Sequence, residues 1–206
     1  MNKEIKSTVQ GIFPVPIYFS DLKNPLNKKQ ITFIKNNKTR TNEGNFSSQD
    51  NYILNNKNLS SLKKELETKI NDYFNKIIKP LDDIKPYITQ SWLNFTNRNE
   101  YHHQHAHANS IVSGVLYLDV DPKKDKIFFH NNVYKQIDIY SQEYNPFNSN
   151  SWWFPIQNNQ LILFPSSTTH SVEIKKENNK RISLAFNTFV KGKIGHNDNL
   201  TELILK

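Results

Sequence analysis

The sequence predicts a mainly β protein, either a sandwich or a jelly-roll barrel, with a helix packed on its outside. Three observations favour this fold class. Short apolar runs separated by polar turns follow Pro86, one clear helical pattern precedes it, and the composition, with 36% hydrophobic and 12% aromatic residues, is that of a folded globule. The predicted strands cover residues 87–95, 102–108, 111–120, 126–130, 137–141, 152–156, 160–165, 170–174 and 181–190. Nine short strands in this spacing are typical of sandwiches and barrels.

The first part of the chain predicts one edge strand and two helices. In residues 11–22, Pro14 and Pro16 cannot donate to a central ladder, so this segment is expected at a sheet edge. Asn24 and Pro25 resemble an N-cap and first helical residue, which predicts a short helix through about Ile34. Residues 36–58 lack periodicity and are expected to form a loop.

A longer helix is predicted from Ser60, ending before Pro80. Its apolar residues recur at steps of three and four, as expected for one buried helical face. These residues are Leu62, Leu66, Ile70, Tyr73, Phe74 and Ile77.

We expect a single domain over residues 1–206. Residues 1–86 would form the N-terminal strand and helical support, 87–190 the β core and 191–206 a C-terminal tail. No window approaches the roughly 20 apolar residues of a membrane span, and the N-terminus lacks a signal-peptide core, which predicts a cytoplasmic protein without a membrane partner. The net charge of +8 permits nucleic-acid binding, but the lysines are dispersed, so this partner is a minor expectation.

Four of the seven histidines fall within six positions, 102 to 107. Because the chain has no cysteine, a metal must bind through nitrogen and oxygen ligands. On a strand, His105 and His107 share one face and can direct two imidazoles at one point. The pair His103 and His105 is the alternative register, while His102 is expected to point away.

A third imidazole must come from elsewhere, and His170, after a buried-looking strand and a turn, is the best candidate. His130 and His196 are weaker rivals. Eleven residues after His170, Arg181 opens an apolar strand with Ser183 on the same face. A planar guanidinium with a nearby hydroxyl suits a carboxylate, so the predicted site holds a metal and a small anion.

In this order, the segments HAH (105–107), SGVLYL (113–118), LFPSSTTH (163–170) and RIS (181–183) resemble the iron(II)/2-oxoglutarate-dependent oxygenases, and most closely a phage and bacterial branch of them. The resemblance implies a double-stranded β-helix core with N-terminal packing helices. It also implies that His105, His107 and His170 bind the metal, while Arg181, Ser183 and Tyr117 bind the far carboxylate of 2-oxoglutarate. Tyr117 is alternatively a core aromatic.

The activity implied by the resemblance requires iron(II), 2-oxoglutarate and dioxygen, and it hydroxylates a C–H bond while releasing succinate and carbon dioxide. The primary substrate is not encoded in any recognisable motif. His107 departs from the wider superfamily, which has a carboxylate at the second ligand position. A cupin-like metal- or ligand-binding module without turnover is therefore the alternative. Nucleic-acid repair is a minor possibility, because Asn187 stands where such enzymes have a second arginine.

Two aromatic segments keep two interpretations each. The run SWWFP at 151–155 is either a substrate-facing wall or core packing, and the same holds for Trp92 and Asn94 on the strand before the histidines.

Overall fold

The computed structural model describes residues 6–133, 137 and 139–206, and within them two antiparallel β-sheets face each other. The larger sheet has eight strands in the order β1-β9-β6-β11-β4-β3-β2, with β12 paired to β11; the smaller has the order β5-β10-β7-β8. The strands are β1 (Tyr18–Asp21), β2 (Thr39–Thr41), β3 (Phe46–Ser48), β4 (Lys85–Thr96), β5 (His102–His105), β6 (Val112–Asp119), β7 (Lys126–His130), β8 (Ser151–Pro155), β9 (Gln160–Pro165), β10 (His170–Val172), β11 (Arg181–Ile194) and β12 (Leu203–Leu205). This is the jelly-roll arrangement of a double-stranded β-helix, although the described strands form two open sheets and not a closed barrel.

The central strands of the larger sheet are buried on both faces. On β11, Ile182 and Leu184 pack in the apolar cluster that lies under the helices, whereas Ala185 packs in the cluster between the two sheets. Side chains alternate between the faces of a strand, so a strand covered on both sides needs apolar residues at nearly every position. This explains why the core strands appear in the sequence as continuous apolar runs.

The helical layer covers the outer face of the larger sheet. It contains α1 (Lys28–Lys35) and α2 (Ser60–Tyr73), and α2 continues into a π-helical turn at Phe74–Ile78. The predicted long helix is confirmed, because its apolar stripe is buried in the helix-side core, except for Ile77, which is 46% exposed. Fully burying one such side chain contributes about 1.5–3 kcal/mol, which makes this stripe the main attachment of α2 to the sheet.

Two predictions for the N-terminal part were wrong in detail. The first helix begins later than predicted, because Asn27 and not Asn24 is its N-cap, and Asn27 forms a reciprocal capping box with Gln30. The segment 36–58 is not a single loop: it contains β2, β3 and two 3-10 turns, Ile53–Asn55 and Lys57–Leu59. The sequence lacks a period there because these elements are only three residues long.

The predicted strands of the β core are largely confirmed. Eight of the nine predicted runs contain an observed strand, and β1 lies at a sheet edge as predicted, although it begins only after Pro14 and Pro16. The prediction for 137–141 was wrong where it can be compared, since residues 137 and 139–141 are outside any strand; residue 138 lies outside the described residues. The run 102–108 forms a strand only through His105.

The strand directions place two sets of loops at opposite ends of the sandwich. At one end, β5 finishes at His105 beside the start of β10 at His170, and β7 finishes beside the start of β8. The loops at 106–111 and 166–169 therefore share that end with residues 131–133 and 149–150, which follow β7 and precede β8. The turns at 97–101, 120–125 and 173–180 share the other end, where β11 begins at Arg181. Among the described residues, no helix has the length and apolar character needed to cross a bilayer.

Candidate active site

Three imidazoles from two distant segments meet at one end of the sandwich. His105 closes β5, His107 follows it in the connection to β6, and His170 opens β10 directly opposite His105. Their ring centroids are separated by 5.0 Å for His105 and His107, 4.4 Å for His105 and His170, and 5.1 Å for His107 and His170. One nitrogen from each ring lies within 4.8 Å of the other two, so the three can hold a metal ion.

The Nδ1 atom of each ring is held by an acceptor on the protein. His105 Nδ1 lies 2.9 Å from the backbone oxygen of His103, and His170 Nδ1 lies 3.1 Å from that of Thr168. A carbonyl oxygen can only accept a hydrogen bond, so both Nδ1 atoms carry the proton and both Nε2 atoms keep a free lone pair. This is the tautomer that binds a metal through Nε2.

His107 is oriented by side chains of the larger sheet. Its Nδ1 is 2.5 Å from Asn187 Oδ1 and 2.9 Å from Ser113 Oγ. Ser113 also hydrogen-bonds to Asn187 and to Ser166, so the contact belongs to a buried polar network. Because Asn187 offers an oxygen, His107 also keeps the lone pair on Nε2.

The Nε2 atoms of His105 and His107 are 3.0 Å apart. If neither carries a proton, two lone pairs face each other at this distance, which is unfavourable unless a cation lies between them. Two nitrogens bound at a right angle to one metal, each at about 2.1 Å, are about 3.0 Å apart, so the spacing matches neighbouring corners of a metal site. The residues present therefore fit a metal ion.

Burial keeps these imidazoles neutral. It lowers the pKa of His105 to about 4 and that of His170 to about 3, and neighbouring imidazoles add to the effect in both cases. Burial also lowers the pKa of His107, although the hydrogen bond to Asn187 acts in the opposite direction. Neutral rings are the form that ligates a metal, so the site is ready for a cation at neutral pH without first releasing protons.

The prediction that His102 points away from the site was wrong. His102 pairs with Val172 and His105 pairs with His170, so the four residues 102–105 of β5 lie opposite the three residues 170–172 of β10. The extra residue is a β-bulge, and it breaks the strict alternation of side chains. His102 consequently stacks on His105 with a centroid distance of 4.7 Å and lines the cavity that His105, His107 and His170 also line.

His103 is the alternative ligand in the sequence. Its Nδ1 is 3.4 Å from the backbone oxygen of Glu43, and with His102 and His105 it forms a second group whose ligand atoms lie within 4.8 Å of one another. The group with His107 and His170 is the more suitable metal site, because it has the 3.0 Å nitrogen pair and includes a histidine that is only 5% exposed.

The carboxylate-binding candidates lie deeper between the sheets, on the same face as the histidines. Ser183 pairs with Asn94 on β4 and with Tyr117 on β6, which makes one row of polar side chains across three strands. Arg181 lies two residues further along the same strand, towards the end of the sandwich opposite the histidines, and pairs with Thr96. Arg181, Ser183 and Tyr117 are 4%, 8% and 2% exposed and line one cavity with the metal-site histidines.

The guanidinium of Arg181 and the phenol of Tyr117 in this cavity both keep their protons. Burial lowers the pKa of Arg181, but Asp125 and Tyr117 oppose that shift, so the guanidinium remains a cation. Burial raises the pKa of Tyr117, so its hydroxyl is a hydrogen-bond donor at every physiological pH. A cation and two hydroxyl donors in a dry pocket form a binding site for a carboxylate.

Trp92 and Asn94, for which the sequence left two interpretations, both line this cavity. Asn94 is 4% exposed, and its Oδ1 is one of two buried side-chain atoms without a hydrogen-bond partner among the described residues. Buried polar atoms are nearly always paired, so an orphan at this place is a sign of a group that interacts with a ligand. The cavity is narrow, with an open volume of ≈ 30 Å³, about one water molecule, so a dicarboxylate needs the lining side chains to move.

A larger cavity of ≈ 790 Å³ opens at the histidine end. Its walls come from the N-terminal segment before β1, from β7 and β8, and from the 166–169 turn. Trp152 and Phe154 of the SWWFP run line it, whereas Trp153 is 43% exposed and stacks under Lys126. Thr168, whose carbonyl holds His170, is part of its wall.

Comparison with known proteins agrees with this fold. Residues 90–187 match a family described as "Putative 2OG-Fe(II) oxygenase", and no curated protein matches the chain. Among solved structures, HygX from Streptomyces hygroscopicus, with nickel and 2-oxoglutarate bound, has a TM-score of 0.58 and 8% identity over 84% of this chain and 82% of its own. An oxidoreductase of the 2OG-Fe(II) oxygenase family from Burkholderia pseudomallei has a TM-score of 0.55 and 12% identity over 77% and 74% of the two chains.

A prolyl-4-hydroxylase from Pseudomonas putida is also similar, with a TM-score of 0.54 and 11% identity over 84% of this chain and 92% of its own. The similar structures include an epimerase and a carbocyclase from nogalamycin biosynthesis, so the shared fold does not fix the reaction. The matched residues and the shared fold make the chain similar to the iron(II)- and 2-oxoglutarate-dependent oxygenases, a class of oxidoreductases that uses iron(II), 2-oxoglutarate and dioxygen.

Several residues of the site were missed in the sequence. Ser113 and Asn187 hold His107, and Asp125 contacts both Arg181 and Lys175. Asn187 shares a strand face with Arg181 and Ser183, so counting further along β11 in steps of two would have suggested it. Asp125 and Lys175 lie in charged turns that resemble ordinary solvated loops, and the sequence carries no signal for them.

Proposed function

We propose that this chain is an iron(II)- and 2-oxoglutarate-dependent dioxygenase that hydroxylates a C–H bond, with His105, His107 and His170 as the metal ligands. The observation that carries the proposal is the pair of Nε2 lone pairs 3.0 Å apart, with a buried guanidinium in the same cavity. This chemistry requires a metal site and a binding site for a dicarboxylate within one buried pocket. When bound by these histidines, iron(II) would supply the redox chemistry by which dioxygen and 2-oxoglutarate become succinate and carbon dioxide while one oxygen atom enters the C–H bond of the substrate.

The residues of the chain orient and desolvate the reactants. The three imidazoles donate from Nδ1 to the backbone oxygens of His103 and Thr168 and to Oδ1 of Asn187, which holds them in one tautomer, so no proton has to leave when the metal binds. Holding the ligands rigidly also keeps the remaining coordination positions open to 2-oxoglutarate and dioxygen.

Arg181 and Ser183 bind the far carboxylate of 2-oxoglutarate, and the hydroxyl of Tyr117 donates to the same group. These three are buried, so each hydrogen bond to the charged group forms in a low dielectric and is stronger than it would be in water. Asn94, which belongs to the same row, supplies a further polar contact to the cosubstrate.

The primary substrate approaches from the histidine end, through the ≈ 790 Å³ cavity. That volume is typical of small-molecule sites. The lining contains no lysine, arginine, aspartate or glutamate among the described residues, although 22% of the chain is charged. An uncharged substrate with an apolar body therefore suits it better than a nucleic acid.

A metal-binding module without turnover is the second candidate function. One observation favours it: the three-residue group holds no carboxylate among the described residues, and three neutral imidazoles also suit zinc or nickel. Such a module would bind those metals tightly and show no affinity for 2-oxoglutarate.

Succinate formation separates the two functions. Purified protein incubated with iron(II), 2-oxoglutarate, ascorbate and oxygen is expected to release succinate slowly even without a primary substrate. His170→Ala should reduce the rate to background because a metal ligand is lost. Arg181→Ala should raise the KM for 2-oxoglutarate by about ten- to a hundredfold, since a hydrogen-bonded charge contributes roughly 1.5–3 kcal/mol.

Matched controls use the same residue types at the surface. His196→Ala and Arg40→Ala remove exposed side chains that lie outside both cavities, and each should keep the wild-type rate. Wild-type protein that retains iron but neither binds 2-oxoglutarate nor forms succinate would overturn the oxygenase proposal and favour the metal-binding module.

A further inference from the structure

A buried carboxylate and a buried ammonium stand behind the guanidinium of Arg181. Arg181 Nη1 donates to Asp125 Oδ1 at 3.3 Å, and Lys175 Nζ lies 3.3 Å from both carboxylate oxygens of Asp125. The side chains of Lys175, Asp125 and Arg181 are 0%, 3% and 5% exposed. Asp125 thus connects two cations that are both removed from water.

Backbone hydrogen bonds hold Asp125 and Lys175 within the turns at the end of the sandwich opposite the histidines. Asp125 Oδ2 accepts from the amide of Asp121 at 2.8 Å, within the turn between β6 and β7. The amide of Lys175 donates to the carbonyl of Glu100, and the amide of Asn99 donates to the carbonyl of Lys175. The Asp125 carboxylate is therefore a rigid point against which the guanidinium is held.

The charges of the cluster leave one cation unbalanced. Two buried cations, Arg181 and Lys175, face the one buried carboxylate of Asp125. The cluster therefore carries a net charge of one positive unit, which balances the single negative charge of a bound carboxylate. Glu177 lies 3.6 Å from Lys175, but its side chain is 30% exposed, so solvent screens its charge. Asp125 occupies one guanidinium nitrogen and leaves the other N–H donors for a ligand.

Buried ion pairs seldom increase stability over apolar residues of similar size, because desolvation offsets the attraction between the charges. A buried pair that fixes the direction of a binding group has a different use. A guanidinium held at one nitrogen cannot rotate freely, so its remaining donors stay at a constant distance from the metal-site histidines.

We propose that Asp125, supported by Lys175, is a positioning residue that fixes the Arg181 guanidinium so that the site selects the chain length of the 2-oxo dicarboxylic acid. This inference rests on the proposed function, in which Arg181 binds the far carboxylate of 2-oxoglutarate. The homologue 2-oxoadipate, longer by one methylene, carries its far carboxylate deeper than a fixed guanidinium accepts.

The test compares the binding of two ligands by titration calorimetry of the manganese(II)-loaded protein without oxygen. Asp125→Asn is expected to raise the Kd for 2-oxoglutarate by about tenfold and to reduce the preference over 2-oxoadipate by a similar factor, as the loss of one charged hydrogen bond implies. Charge alone predicts the opposite sign, since removal of a carboxylate beside Arg181 should tighten the binding of a dianion. Tighter binding, or unchanged Kd values with only a lower Tm, would overturn the proposal.

A double variant covers the case in which Asp125→Asn fails to fold because the buried Lys175 is left with only the partly exposed Glu177 as a partner. Asp125→Asn/Lys175→Met removes both charges and leaves Arg181 with the same unbalanced charge as in the wild type. It should also bind 2-oxoglutarate about tenfold more weakly and discriminate poorly between the two acids. Wild-type values in the double variant would contradict the positioning role.

Asp119→Asn is the matched control, because Asp119 precedes the same turn as Asp125 and its side chain is 46% exposed beside Lys35. It should leave both Kd values unchanged. Arg181→Lys separates this inference from the proposed function. If Arg181→Lys binds 2-oxoglutarate as the wild type does, the assignment of Arg181 fails; if it weakens binding while both Asp125 variants do not, only the positioning role fails.

Discussion

Asn187 shows how one side chain decides which nitrogen of a histidine faces the site. His107 lies beyond the end of β5, so no strand ladder fixes its ring. The amide oxygen of Asn187, on β11 of the opposite sheet, accepts a hydrogen bond from Nδ1 of His107. This contact leaves Nε2 facing His105. In the sequence, Asn187 was notable only because it stands where nucleic-acid repair enzymes have a second arginine. In the structure it is part of the candidate metal site.

Loss of this acceptor should weaken metal binding. In Asn187→Leu the ring of His107 can rotate or change tautomer, and we expect the metal affinity to fall by about 10- to 100-fold. Competition with a chromophoric chelator would measure it. Asn187→Asp keeps an acceptor at the same place and should retain the affinity. Equal affinity in the leucine variant would show that Asn187 does not orient His107.

At the scale of single elements, the bulge in β5 changes what the histidine cluster presents. A regular strand would have directed His102 away from His105. The extra residue opposite β10 brings both rings to the cavity side, and His102 becomes a neutral imidazole with a pKa lowered to about 2, mainly by burial. The pairing partner of β5 decided this outcome, and that partner is 65 residues away in the sequence, at His170 opposite His105.

The middle of β6 depends on a residue without a side chain. A Cβ at Gly114 would lie 2.2 Å from Phe186 Cζ and 2.8 Å from Leu163 Cδ2, both in the buried core on the helix side. We expect Gly114→Ala to lower the free energy of unfolding by about 1–3 kcal/mol, as overpacking does, in urea denaturation.

Gly11→Ala is the matched control for this substitution. Gly11 is exposed, and the nearest atom to a Cβ there, Phe147 Cε1, is 3.8 Å away. The free energy of unfolding should change by no more than about 0.5 kcal/mol. Equal losses in both variants would mean that the β6–β11 contact does not limit the size of residue 114.

At the scale of the whole molecule, the two sheets divide the protein into a structural layer and a functional layer. The helix-side core consists of apolar contacts, whereas the space between the sheets mixes apolar residues with the histidines, Arg181 and the polar row. Burial of so many titratable groups makes stability depend on pH.

The metal-free protein should lose stability as the pH falls below neutral. In the unfolded chain, imidazoles take up protons near their ordinary pKa of 6.5, whereas in the folded protein His105 does so only near pH 4 and His170 near pH 3. Between pH 6.5 and about 4 the unfolded state binds more protons, so the free energy of unfolding decreases with decreasing pH. Thermal unfolding with a chelator present would measure this slope.

The variant His105→Gln/His170→Asn lacks these two groups and should show a shallower slope over the same pH range. An equal slope would assign the pH dependence to other groups of the chain.

Sequence patterns alone were enough to predict the fold class, the long helix, eight of the nine predicted core strands and the residue types of the site. This was possible because hydrophobic period and strand alternation are local properties, and because HAH, the distant histidine and RIS follow one another in a recognisable order. The assignment of His105, His107, His170, Arg181, Ser183 and Tyr117 to metal and cosubstrate remains a prediction.

The surroundings of those residues became visible only in the folded structure. The side that His102 faces, the acceptor of His107 and the buried Asp125–Lys175 pair behind Arg181 depend on contacts between segments far apart in the chain. A local sequence pattern cannot specify a strand's partner or the register of a bulge, since both are fixed by the packing of the whole sandwich.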